Sequence, residues 1–282
     1  MAAGQLNQKR TAMLVKRAAS AVVILLASLI LVFSGGLVFS AGVGVILAIA
    51  VWEYAAMFRG GGFHPADWLM VAGTFVLTTA IPLMAEADYY LAFCFFCMAV
   101  IIWHITTYSS CQEQAALDMA ISLSGILAIT FFGHFLVMLR FLPGGLGWIL
   151  IGILPASISD IGAYLIGSLI GRHKLAPHLS PGKTVEGWIG GILTACAVGA
   201  AAGALMNPYF KMINLAIGLG LGLVSGMLSP LGDLAKSIVK RQFGLKHTGN
   251  LIPGHGGVLD RIDTWLWAGV ISYAIITQVL LK

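Results

Sequence analysis

The chain has 282 residues, of which 59% are hydrophobic and 10% charged, and its mean hydropathy is +0.94. Soluble domains carry about 25% charged residues, so this chain has too little charge to cover a water-facing surface of its own size. That excludes a soluble globular enzyme, and with it disordered, collagen-like and disulfide-stapled secreted classes. The net charge of +5, from 16 Lys+Arg against 11 Asp+Glu, matters mainly through where it sits.

A membrane helix needs about 20 mostly apolar residues to cross some 30 Å of hydrocarbon at about 1.5 Å per residue. Nine runs meet that need: 17–34, 37–57, 67–85, 88–108, 115–139, 146–169, 187–206, 212–231 and 264–281. The expected fold class is all-α, a polytopic integral membrane protein with about nine transmembrane helices. The stretch from Ala18 to Trp52 is uncharged and too long for one span, and Gly35-Gly36 is its natural hairpin point. Lys9, Arg10, Lys16 and Arg17 ahead of the first run resemble the basic end of a secretory signal. The eight further runs behind it favour a first helix that is retained.

Orientation follows from the side on which Lys and Arg accumulate. With the N-terminus in the cytoplasm, thirteen basic residues lie inside and three, Arg140, Lys211 and Lys282, lie outside. The composition and the lack of an organelle presequence point to a bacterial inner membrane. Residues 1–145 read as a scaffold of transmembrane helices, and 146–282 as a catalytic region with two cytoplasmic loops, 171–186 and 232–263. No internal repeat or linker is visible. Gly218, Gly222 and Gly226 have the spacing of close helix packing. Cys94-Phe-Phe-Cys97 has the spacing of a redox or zinc half-site, but it stands in an uncharged run without a partner pair. Like Cys111 and Cys196, these residues read as thiols buried among membrane helices.

The polar residues are unevenly spread. Six of the acids fall in the first 150 residues, mostly at span ends, and look like scaffold. The second half gathers nearly all its charge into the two loops. Asp160 lies inside an apolar run, where a carboxylate costs about 2.5–3.5 kcal/mol near the bilayer centre; it should face a polar cavity and have a partner. Asp260 and Asp263, three apart, share a helix face, and Asp233 opens the second loop. Carboxylates held close together repel unless a cation joins them, and hard oxygen donors suit Mg²⁺. The competing reading makes Asp263 the cap of the last helix and Asp260 a solvated neighbour of Arg261.

Ser180-Pro-Gly-Lys183-Thr184 has the composition of a phosphate loop without the Walker spacing. The helix starting at Val185 aims its N-terminus at this loop, which favours an anion there; an ordinary capped helix start is the alternative. Pro253-Gly-His255-Gly256-Gly257 allows close approach of backbone to ligand, and His255 is the histidine expected to touch it. Lys236, Lys240 and Arg241 lie on adjacent turns of one helix, as a clamp for phosphates or simply as charge that sets topology. Histidines 64, 104 and 134 read as packing residues. Acids for metal, bases for phosphate and glycines for close approach are equipment for phosphoryl or nucleotidyl transfer onto a lipid.

The segment Ser237-Ile-Val-Lys240-Arg241, Lys246-His247, Pro253-Gly-His255-Gly256-Gly257 and Asp260-Arg261-Ile-Asp263 closely resembles the signature of the phosphatidate cytidylyltransferases (CDP-diacylglycerol synthases). Asp160-Ile-Gly-Ala-Tyr164 and Ser180-Pro-Gly-Lys183-Thr184 look like that family too, and the similarity is dense over 155–265. The resemblance implies transfer of CMP from CTP to phosphatidate, giving CDP-diacylglycerol and pyrophosphate, with Mg²⁺. It implies metal ligation by Asp233, Asp260 and Asp263, a catalytic part for Lys246 beside them, and phosphate neutralisation by Lys183, Lys246 and Arg261. A homodimer is also implied, and no nucleic-acid partner is expected. Two positions depart from the family pattern: His247 stands where an aspartate is usual, and Ile161 where a hydroxyl residue is common.

Related transfer to another lipid phosphate, or a weakly active member on account of His247, stays open. The Asp-x-x-Asp-Gly-x-x-Ala-Arg pattern of the CDP-alcohol phosphotransferases is absent. A transporter with Asp160 as its ion site leaves the cluster of glycines and acids unexplained.

Overall fold

Within hydrocarbon every backbone N–H and C=O must be satisfied inside the chain, so runs this apolar fold as helices. The structure, a computed structural model, describes residues 24, 26–110, 113–245, 247–249, 251–252 and 256–280. The helices are α1 (residues 26–34), α2 (Gly36–Gly60), α3 (Asp67–Ala80), α4 (Glu86–Thr106), α5 (Ala115–Gly125) and α6 (Phe132–Phe141). They continue as α7 (Gly145–Ile170), α8 (Val185–Met206), α9 (Leu215–Gln242) and α10 (Leu259–Ile275). A π-helical segment, Ile126–Phe131, joins α5 to α6, and another, Ile276–Leu280, extends α10. Gly35, at φ +64°, breaks α1 from α2 at the expected hairpin point.

Among the described residues, six helical stretches are long and apolar enough to cross a membrane: Gly36–Gly60, Glu86–Thr106, Ala115–Phe141, Gly145–Ile170, Val185–Met206 and Leu215–Gln242. The chain is thus an integral membrane protein of the all-α class, with almost no sheet. Asp67–Leu83 is a shorter apolar helix. The expected first and last spans, 17–34 and 264–281, run past the described residues, as do the basic N-terminal segment and the retained first helix it bears on. One feature departs from the all-helical expectation. The Ser-Pro-Gly-Lys-Thr stretch is a strand, β2 (Ser180–Thr184), paired antiparallel with β1 (Lys174–Ala176).

The main core lies among α2–α6, around Leu47, Val51, Met70, Val100, Ile126 and Val137, and it takes in Leu259, Ile262 and Leu266 of α10. The last helix is therefore anchored in the N-terminal scaffold. Helices α7, α8 and α9 pack as neighbours. Along the α8–α9 seam, Gly218 lies against the backbone of Gly199, Gly222 against that of Ala195, and Gly226 against Ile192, so a side chain there would meet main chain. This is the small-residue packing expected of these three glycines. At one end of the bundle Phe243, just after α9, packs on Phe58 and Phe63 with ring centroids 5.0 and 6.2 Å away. That contact brings the C-terminal ends of α2 and α9 together.

The thiol expectation needs correction. Cys94 is exposed on the outer face of α4, and Cys97 and Cys196 are half-buried; all three are free, and Cys111 lies outside the described residues. On a membrane helix an apolar outward face has lipid for its environment, so a thiol need not be covered by protein. Of the three histidines read as packing residues, His64 is instead exposed at the turn before α3, whereas His104 is hydrogen-bonded to Ser122 Oγ at 2.9 Å. His134 is stacked on Tyr89 and contacts the Phe131 carbonyl through Nδ1, while its Nε2 is buried without a partner.

Candidate active site

The two polar segments meet where α7, α8, α9 and α10 come together. Asp160 comes from the middle of α7, and Ser180 and Lys183 from β2. Asp233, Lys236, Lys240 and Arg241 come from the last turns of α9, and Asp260, Arg261 and Asp263 from the first turns of α10. All of these line one cavity of about 590 Å³, together with His247 and Trp188. Ligand pockets commonly run from about 300 to 1,000 Å³, and this cavity falls in that range.

At the floor of the cavity is an ion-pair cluster. The Lys236 ammonium lies 3.1 Å from Asp233 Oδ1, 3.2 Å from Asp260 Oδ1 and 2.7 Å from Asp263 Oδ2. It also donates to the Asp260 carbonyl at 3.3 Å. Lys183 holds the other oxygen of Asp233 at 2.8 Å, and Lys240 donates to Asp260 Oδ1 at 3.0 Å. Asp260 Oδ2 accepts from the Thr248 N–H at 2.9 Å and from the Gly257 N–H at 3.4 Å. Asp263 is the most deeply held of the three: its buried Oδ2 has the Lys236 ammonium as its partner at 2.7 Å. Three carboxylates thus converge as expected, but an ammonium stands between them.

The neighbouring pieces hold this cluster in place. Thr184 caps α8 by accepting from the Gly187 N–H at 3.1 Å, so the capped helix start is present beside the phosphate-loop composition. Glu186 closes the hairpin by accepting from the Arg172 and His173 N–H groups at 3.0 and 3.2 Å. Arg241 Nε donates to the Leu179 carbonyl at 3.1 Å, tying the hairpin to α9. Asp160 is exposed to the cavity and accepts from Thr264 Oγ1 at 3.2 Å, so its partner hydroxyl comes from α10 rather than from its neighbour in sequence. Val258 is the N-cap of α10, which leaves Asp263 inside the helix and rules out its reading as a cap.

Other expected residues are placed differently. Gly256, at φ +83°, and Gly257 pack behind Asp260: a side chain on Gly256 would meet His247 and Asp260, and one on Gly257 would meet Thr248 and Glu53. Their smallness thus serves the folding of the loop. His247 Nδ1 lies 3.7 Å from Asp260 Oδ2, and Ile161 is exposed on α7. Lys246 and His255 lie outside the described residues. Among the described residues, no group of three His, Cys, Asp or Glu side chains is arranged to hold a metal ion.

The residue that sequence reasoning missed is Glu53. It sits in α2, 1% exposed, and accepts from the Val258 and Leu259 N–H groups at 2.9 Å each and from Thr248 Oγ1 at 3.2 Å. A carboxylate at the start of α10 satisfies donors that no helical partner can reach, and it complements the helix dipole. The signal in the sequence is an acid inside the apolar run 37–57, close enough to its end to read as one of the common span-end acids.

Membrane helices closing around a cavity of lysines and aspartates define a class: an integral membrane protein built to handle a polyanion at the edge of the bilayer. The chain matches the cytidylyltransferase family over residues 15–279, and it belongs to that family. It is similar to a phosphatidate cytidylyltransferase of Synechocystis sp., 32% identical over 295 residues that cover 94% of this chain and 97% of that one. It is also similar to the phosphatidate cytidylyltransferase of Staphylococcus aureus strain COL, 44% identical over 123 residues. That match covers 44% of this chain and 46% of the relative, so the chain spans about half the length of the S. aureus protein.

Proposed function

We propose that the protein transfers CMP from CTP to phosphatidate, releasing CDP-diacylglycerol and pyrophosphate, at the cytoplasmic face of a bacterial inner membrane. The observation that carries this reading is the convergence of Lys183, Lys236, Lys240, Arg241 and three aspartates in one cavity at the ends of apolar helices. Membership of the cytidylyltransferase family and the names of the relatives support it. The orientation rests on the thirteen-to-three distribution of Lys and Arg.

An oxygen lone pair of the lipid phosphate forms a bond to the α-phosphorus of CTP. The bond from that phosphorus to the α–β bridging oxygen breaks, and its electron pair leaves with pyrophosphate. The attacking phosphate is already ionised near neutral pH, so no side chain is needed to remove a proton. Catalysis is then positioning and charge neutralisation. Lys183, on a hairpin fixed by Glu186 and Arg241, pairs with Asp233, and Lys240, one turn beyond Lys236, pairs with Asp260, so the two can grip separate phosphates. Tyr164 and Trp188, lining the cavity beside these charges, suit the glycerol end of a lipid.

All-oxygen donors of the kind Asp233, Asp260 and Asp263 present suit Mg²⁺, and the three carboxylates converge on one point, where the Lys236 ammonium shows that they accept a cation. Mg²⁺ held there would offset the negative charge accumulating on pyrophosphate. The test is purified protein with labelled CTP, phosphatidate and Mg²⁺. Label should move into the organic phase as pyrophosphate is released, and no lipid product across a range of divalent ions would defeat the reading.

A further inference from the structure

We propose that Trp188 is a positioning residue: its indole N–H holds α9 at the turn before Asp233 and so keeps that aspartate opposite Lys183. The inference rests on the nucleotidyl-transfer reading. It adds to that reading the tie that keeps the cavity in shape once a phosphate has drawn Lys183 from its carboxylate.

Helix α9 has a weak point just ahead of the site, because Pro230 stands inside it. A proline has no N–H to offer the carbonyl four residues back, that of Gly226, and its ring crowds that oxygen. Within a bilayer such a gap is tolerated when a neighbouring helix makes good the loosened backbone. Here the donor comes from α8: Trp188 Nε1 donates to the Met227 carbonyl, in the same loosened turn, at 3.2 Å. Before the proline, α9 is fixed by the glycine seam, where Gly226 lies against Ile192. Beyond it, Gly232 fits against Trp267 and the Asp263 carbonyl of α10. The Trp188 bond joins the stretch between these two supports to α8.

Trp188 belongs to the fixed side of this contact. It lies near the start of α8, shortly after Lys183. That start is packed closely on α7: a side chain at Gly167 or Gly171 would strike Thr184, and one at Gly187 would strike the Ala163 carbonyl. One short piece of chain, seated on α7, thus makes two contacts with α9. Lys183 pairs with Asp233 at 2.8 Å, and Trp188 holds Met227 on the turn before. The first contact is lost when Lys183 turns to a phosphate. The second engages a backbone carbonyl, which a polyanion does not attract, and it persists. Trp188, Pro230 and Asp233 all line the cavity, so a shift of the proline turn would move its wall and its charge together.

Trp188→Phe keeps an aromatic face on the cavity and removes the N–H. Hydrogen exchange of the full-length protein in nanodiscs, without substrate, reads the tie directly. Amides within 226–236 should exchange about three- to tenfold faster in Trp188→Phe, the scale of one neutral hydrogen bond, while those within 215–224 keep wild-type rates. In the lipid-product assay kcat should fall by a similar factor, with KM for phosphatidate moving less than about twofold. Pro230→Ala gives α9 its own donor. In that background Trp188→Phe should slow turnover less than about twofold, since changes acting through one contact are not additive. Unchanged exchange across 226–236 overturns the proposal, and so does wild-type kcat in a variant whose exchange has quickened. An effect on phosphatidate KM alone, or a full loss of kcat in the Pro230→Ala background, also overturns it and makes Trp188 a wall that touches lipid. The exchange measurement needs no reaction. Faster exchange in Trp188→Phe, with no lipid product from wild-type protein, sinks the transfer reading and leaves the tie standing, whereas product with unchanged exchange sinks the tie alone.

Discussion

At the scale of single residues, Asp263 and Glu53 are both buried carboxylates, yet they answer to different tests. Asp263 faces the cavity, and its buried Oδ2 lies 2.7 Å from the Lys236 ammonium. Its charge is thus held ready, by a paired cation, beside whatever enters the cavity. Asp263→Asn, measured on protein that a melting curve shows to be folded, should lower kcat by about 10²–10³-fold, the scale of losing one preorganised electrostatic contact. A folded variant turning over at the wild-type rate takes Asp263 out of the site. Glu53 faces away from the cavity and spends its oxygens on the loop and on the start of α10. Glu53→Ala leaves two buried N–H groups unmatched at about 1–3 kcal/mol each, whereas Glu53→Gln keeps one acceptor. Melting temperature and kcat should both fall in the order wild type, Gln, Ala. Equal melting of all three proteins would show that the loop is held by something else.

At the scale of elements, the site depends on how α9 lies against its neighbours. This helix carries Asp233, Lys236 and Lys240, and its position is set by the seam with α8, where glycines bring backbone onto backbone. A side chain at Gly222 would strike the Ala195 carbonyl, whereas one at Gly220, two residues away, would meet open space. Gly222→Leu should therefore cost about 1–3 kcal/mol or more by overpacking and should lower the rate by moving α9 relative to Lys183 and Asp160. Gly220→Leu should do neither. Thermal unfolding and turnover of the two variants, measured side by side, check this, and identical behaviour of the pair would mean that the seam does not position α9. The seam was legible because Gly218, Gly222 and Gly226 recur at helical spacing. The hairpin was not, because Ser-Pro-Gly-Lys-Thr is turn-like in composition and its pairing with Lys174–Ala176 is a tertiary fact. Lys236 was legible as a base on a polar helix face. Its place among the aspartates was not, since it depends on α10 returning to α9 across a loop that periodicity does not describe.

At the scale of the whole molecule, hydropathy located the helices because the bilayer leaves the backbone no alternative. It could not reveal that Glu53 reaches residues 205 and 206 positions away, since a lone acid near the end of an apolar run carries no mark of its partner. The same long-range contact gives the molecule a testable polarity. Glu53 and the Phe58–Phe243 pair place the end of α2 beside the loops that carry the candidate site, and α3 then runs from that end towards Leu83 and the start of α4 at Glu86. Whichever side of the membrane the hairpin of residues 174–184 occupies, Ala85 should therefore occupy the other. Lys and Arg accumulate at the hairpin end, which the positive-inside rule assigns to the cytoplasm. In a background with the native cysteines replaced by serine, Gly182→Cys, at an open position on the hairpin, should react with a membrane-impermeant maleimide only in inside-out vesicles. Ala85→Cys should react only in right-side-out vesicles. Reaction of both from one side would break the topology that joins the scaffold to the site. Reaction of each from the opposite side to that expected would keep the fold but place the cavity outside, where the cell's CTP cannot reach it.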